Sequence, residues 1–189
     1  MDTTTIIVIV VAVIAALVVG GFLGAAMGRR QRTKRLQDTF GPEYDHTVDE
    51  LGDKNRAENE LTERIEHVKA LEIRPLSENE IERFKIRWET IQANFVDKPL
   101  KSTQEADRLI AEVMEAKGYP VEDFDHQAAD ISVDYPDLMM DYRGLHLIAV
   151  RGRDEDVSTE EMRRAMVHGR DLLEKLMKRE QAKERTNEK

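Results

Sequence analysis

The residues best suited to chemistry lie between positions 123 and 141, where the chain reads DFDHQAADISVDYPDLMMD. His126 and Asp130 are four residues apart, and so are Asp130 and Asp134. On a helix this spacing puts an imidazole and two carboxylates on one face, a donor set that suits a divalent metal. The plainer reading is a solvated helix face, with aspartates gathered at helix starts near Pro136. His146 and His168 lie on or beside apolar helical faces and read as interior or boundary histidines. Paired with a carboxylate either would do acid–base work, but no spacing brings such a partner to it. A membrane-tethered enzyme or ligand-binding domain would centre on His126, Asp130 and His146. There is no phosphate-cradling glycine loop, no HExxH, no nucleophile elbow and no EF-hand spacing. The chain has no cysteine, so disulfides, thiolate nucleophiles and zinc–cysteine sites are excluded. No cofactor is implied.

The elements that would carry these residues all read as helices. Ser77 and Glu80 make a capping box, with Leu76 and Ile81 placed as a hydrophobic staple. Ile81, Phe84, Trp88, Ile91 and Phe95 then follow at spacings of three and four, the pattern of an amphipathic helix. A helix over 102–117 turns Ala106, Leu109, Ile110, Val113 and Met114 inward and stops at Gly118, with Pro120 beyond. A short helix over 121–133 carries His126 and Asp130, and another over 136–150 carries His146. Ser158 and Glu161 repeat the capping box before a last helix lined by Met162, Ala165, Met166, Leu172, Leu173, Leu176 and Met177. Residues 179–189 are charged and apolar-free, and read as a disordered tail. No stretch alternates as a strand would.

Ahead of this body stands IIVIVVAVIAALVVGGFLGAAM, residues 6–27, with no charged residue between Asp2 and Arg29. At about 1.5 Å per residue such a stretch reaches roughly 33 Å, enough to cross a bilayer core. The five residues before it lack Lys and Arg, which argues against a cleaved signal peptide. Arg29, Arg30, Arg32, Lys34 and Arg35 follow directly, so the positive-inside rule places the N-terminus outside and residues 29–189 in the cytosol. The same five form a collar for anionic lipid head groups. Ala12, Ala16, Gly20, Gly24 and Gly28 recur every fourth residue, a small-residue stripe through which membrane helices self-associate or meet another membrane helix.

Between the two lies a strongly charged region. It is predicted to be a long stalk helix over 42–71, weakened at Gly52, either a short coiled coil or packed along the body. The net charge is −9; with the five collar residues and Asp2 set aside, residues 36–189 carry −13. So acidic a body lacks the clustered Lys and Arg that phosphate contacts require, which excludes nucleic acid as a partner.

FGPEYD at 40–45, RFKIRWETIQANFVD at 83–97, GYPVEDF at 118–124, AADISVDYP at 128–136 and AMVH at 165–168 resemble a family of uncharacterised small bacterial proteins, often membrane-anchored. The resemblance implies no activity. In that pattern Gln-Arg is usual where this chain has His126-Gln127, which weakens His126 as a ligand, and an aromatic is usual at Gly169.

Taken together, the sequence predicts an all-α protein in four parts: an N-terminal tail and transmembrane helix (1–28), a basic collar and charged stalk (29–73), a compact bundle of about five helices (74–178) and the tail (179–189). The function expected is a membrane-held adaptor or scaffold that binds protein, and an enzyme is the less favoured reading.

Overall fold

The computed structural model describes residues 17, 20, 26–121, 123–152 and 157–178. Within them all regular secondary structure is helical, with no strand. Helix α1 covers residues 26–40. It is followed by α2 (Pro42–Leu51), α3 (Lys54–Ala70), α4 (Glu78–Asn94), α5 (Pro99–Lys117) and α6 (Phe124–Asp134). A 3-10 turn (Pro136–Leu138) leads into α7 (Met139–Arg151), and α8 (Thr159–Met177) ends the described chain. No helix among the described residues is long and apolar enough to cross a membrane. The stretch expected to do so lies mostly outside them, as do Ala12, Ala16, Gly24 and the tail.

Both capping boxes form. Ser77 and Ser158 each accept from the backbone N–H three residues on, while Glu80 and Glu161 reach back to the cap N–H. Helix α5 is the hub. Leu109, Ile110, Val113 and Met114 are wholly buried, and the helix packs against α4, α7 and α8. Gly118 closes it at φ +100°, where an added Cβ would sit 2.6 Å from the carbonyl oxygen of Glu72. Proline at the first helical position costs no hydrogen bond, so α5 begins at Pro99, three residues earlier than the sequence suggested. Conversely α6 begins late, at Phe124, because Asp123 caps it by accepting from the His126 N–H.

The stalk is corrected. There is no single helix over 42–71. Gly52 adopts the left-handed conformation (φ 64°) and ends α2, and Asp53 caps α3 by accepting from the Arg56 N–H at 2.7 Å. A glycine that ends one helix and an aspartate that starts the next outweigh the charge pattern running through them. Helices α1, α2 and α3 then enclose a second core of Leu36, Phe40, Tyr44 and Leu61, against which Val48, Ile65 and Val133 pack. Val133 belongs to α6. With α3 on α6 and α2 on the 3-10 turn, residues 29–73 are built into the body and do not hold it at a distance.

Candidate functional site

The first helical module is fastened to the bundle by buried charge. Glu43 of α2 has a fully buried side chain. It accepts two hydrogen bonds from Arg143 of α7, at 2.5 and 2.7 Å, and one from Arg64 of α3 at 3.2 Å. Two guanidiniums on one carboxylate satisfy it where water cannot. Arg64 also donates from Nε to Glu60 at 3.0 Å.

A cleft of about 590 Å³ opens beside this cluster, where α2, α3, α6 and α7 meet. Its lining includes His46, Arg64, Phe124, Arg143, His146 and Leu147. The His146 ring stacks on Phe124, with centroids 3.6 Å apart and planes within 5°. Its Nδ1 faces the Asp107 carboxylate at 3.1 Å. A second cleft, of about 360 Å³, lies between α3 and α6 and shares Arg64 with the first; His67, His126 and Asp130 line it.

The candidate ligands therefore part company. Asp130 is buried and faces His67 at 3.5 Å; burial pushes its carboxyl above the usual range, and His67 and His126 oppose that rise. His126 is exposed, its Nδ1 2.8 Å from Asp123. The His126 backbone N–H, and then its ring, hold Asp123 below the usual carboxylate range. Asp134 accepts from the Tyr119 hydroxyl at 2.5 Å. His146 looks into the other cleft, so His126, Asp130 and His146 do not share one pocket. His168 meets Asp141 at 3.0 Å. Among the described residues no group of three or more His, Asp or Glu side chains is placed to hold a metal ion.

Of the five collar residues, all of them exposed, Arg32 is also tied to the body. Arg32 turns to α3 and donates to the Glu58 carbonyl (2.9 Å), Asn59 Oδ1 (2.9 Å) and Thr62 Oγ1 (3.0 Å). The buried Glu58 carboxylate accepts from Thr33 at 2.6 Å and from Tyr44 at 3.0 Å. Burial, and then Glu58, push the Tyr44 hydroxyl up to about 12. At Gly20 and Gly28 an added Cβ would meet nothing within 4 Å, so neither is required by packing against the described residues.

Sequence reasoning missed Glu43, Glu58, Arg64, Arg143 and His67. Glu43 and Glu58 look like surface acids on charged helices, and only the burial of the faces carrying them shows otherwise. Comparison with protein-family models, with curated proteins and with solved structures finds no match.

Proposed function

We propose that this chain is a single-pass, membrane-anchored helical scaffold of a bacterial inner membrane. Its body lies in the cytosol and works by binding protein, with nucleic acid excluded by charge. The observation that carries the reading is the attachment of α1. Leu36 and Phe40 are buried in the second core, Arg32 is bonded to α3, and the basic side chains left over face solvent. A basic helix running straight out of an apolar stretch of spanning length, with no free linker before the body, suits a domain held close beneath a bilayer. His126 and Asp130 line one cleft and His146 another, so a site centred on those three residues lacks the convergence it would need. The family resemblance adds no activity.

The test is affinity capture of the full-length, detergent-solubilised protein from membranes, beside a control with Gly20, Gly24 and Gly28 changed to leucine. Reproducible recovery of a protein partner is expected. A chain that washes from membranes with alkaline carbonate, or a reporter fused after Lys189 that is active only outside the cytosol, would overturn the anchor or its orientation.

A further inference from the structure

The chain has two cores that meet at Val133. Among the described residues the main core has no member before Leu71, and Val133 is the one apolar residue after Ala70 that packs against the second. No backbone hydrogen bond joins residues 26–70 to residues 72–178 among those described. The polar contacts that cross are the Glu43–Arg143 fork and the His67–Asp130 pair. Beside them the seam is open. Both clefts lie along it, with His46, Arg64 and His67 on one side and Phe124, His126 and Leu147 on the other. The chain itself divides at the same place. Helix α3 ends at Ala70, and Leu71 turns extended (φ −75°, ψ 145°). From there the linker belongs to the bundle. The Arg74 N–H donates to the Lys117 carbonyl at 2.8 Å, the Glu72 carbonyl lies against Gly118, and Leu76 is buried in the main core.

We infer that α1–α3 form a lid, hinged at Ala70–Leu71, that swings away from α6 and α7 as one body and closes again. A hinge needs only a few residues at the end of an element to absorb the change in backbone angle, and this one lies between a helix end and a docked linker. The rest of the reason is what the seam is made of. Apolar surface parted into water regains nothing. Charges parted together regain hydration on both sides, which offsets much of the attraction given up. Opening therefore exposes little apolar surface and solvates Glu43 and Asp130, whose side chains are 0% and 8% exposed while the lid is shut. Units held by few apolar contacts are the ones that open first. The second core travels with the lid, because Leu36, Phe40, Tyr44 and Leu61 all belong to it. Closed, lid and bundle move as one. None of this draws on the membrane reading.

The test is pulsed dipolar spectroscopy of the full, detergent-solubilised chain, which has no native cysteine to interfere. Spin labels on Asn55→Cys and Lys85→Cys span the seam, and labels on Lys85→Cys and Glu174→Cys sit within the bundle; all three positions are exposed. Asn55 is roughly 24 Å from Leu71 along α3, so a swing of about 20° moves it by about 8 Å. In the otherwise unchanged chain the closed distance is expected to dominate for the seam pair. His67→Ala leaves the buried Asp130 without that imidazole and should add a longer distance, with an open fraction at least about fivefold greater. Adding Asp130→Asn should close the lid again, a rescue that a general loosening of the fold would not give. Glu43→Gln should open it by parting the fork. The bundle pair should keep its distance throughout. A seam distance that stays single in both His67→Ala and Glu43→Gln overturns the inference, as does a bundle distance that lengthens together with it.

Discussion

Glu43 and Arg143, one hundred residues apart in the chain, meet through two parallel hydrogen bonds of 2.5 and 2.7 Å. This fork joins α2 to α7 and so closes the first module onto the bundle. Glu43 is fully buried, and Arg64 shares it. Removing the carboxylate leaves two guanidiniums facing each other in a poorly solvated place. Glu43→Gln is therefore expected to destabilise by about 3–5 kcal/mol. Thermal melts of the full-length protein in detergent would read this as a lowered Tm. Glu43→Met with Arg143→Met should recover part of the loss, since a hydrophobic pair leaves only Arg64 to find water.

Asp130 supplies a prediction with the opposite sign. Its folded pKa is raised by burial. A raised value means that the protonated form favours folding: that contribution is present below the unfolded carboxylate value, about 3.9, and is lost as pH rises through the folded value. At pH 7 the ionised Asp130 is thus a liability, which His67 at 3.5 Å relieves in part. Asp130→Asn should raise Tm at pH 7, and the gain should vanish in acid, where the wild-type carboxyl is protonated. A gain that did not change with pH would show that its origin is not the charge.

Two glycines should respond oppositely to the same change. Gly118→Ala places a Cβ in the left-handed region, 2.6 Å from a backbone oxygen that cannot move aside cheaply. A loss of at least about 1–2 kcal/mol is expected from the conformation alone. Gly144 is mid-helix and its added Cβ meets nothing. Gly144→Ala should stabilise the fold by about 0.5–1 kcal/mol through helix propensity. Chemical or thermal unfolding of the two variants side by side measures both.

The capping boxes give an acid limb. Arg74, and then Ser77, hold Glu80 well below the usual carboxylate range, and Ser158 does the same for Glu161. A lowered folded pKa contributes stability that is present above the unfolded value and lost as pH falls through the folded one. Helical signal should thus weaken below about pH 4. Ser77→Ala should lose about 1 kcal/mol at neutral pH and show a shallower acid limb in a circular-dichroism titration.

Much of the bundle was legible because its signals are local. Ser77 with Glu80, Ser158 with Glu161, Gly118 before Pro120 and the spacing of Phe84, Trp88 and Ile91 each lie within one or two helical turns. They settle helix ends and faces without reference to the rest of the chain. The region before Glu78 read less well. Gly52-Asp53 is also a local signal, but in a charged helical pattern a lone glycine reads as a weak point, whereas here it is a stop followed by a start. Leu36, Phe40, Tyr44 and Leu61 form a core across three helices, α1, α2 and α3, with Val133 of α6 packed against it, so the periodicity of any one of those helices under-reports their burial. The candidate site failed for a related reason. The i,i+4 spacing of His126 and Asp130 holds, yet their nearest partners, Asp123 and His67, are set by a cap and by the approach of α3. Neither appears in the helix periodicity.

The attachment of α1 has a mechanical side. With Arg32, Leu36 and Phe40 all gripped, the body cannot swivel about the axis of that helix. Turning or sliding α1 carries the whole body with it, as a shaft turns a cam. Inserting one residue between Gly28 and Arg32 would advance the first turn of α1 by about 100° and 1.5 Å relative to the body, and four residues would nearly restore the original phase one turn further away. Any rotation of α1 is thus delivered to α2–α8 as an angle.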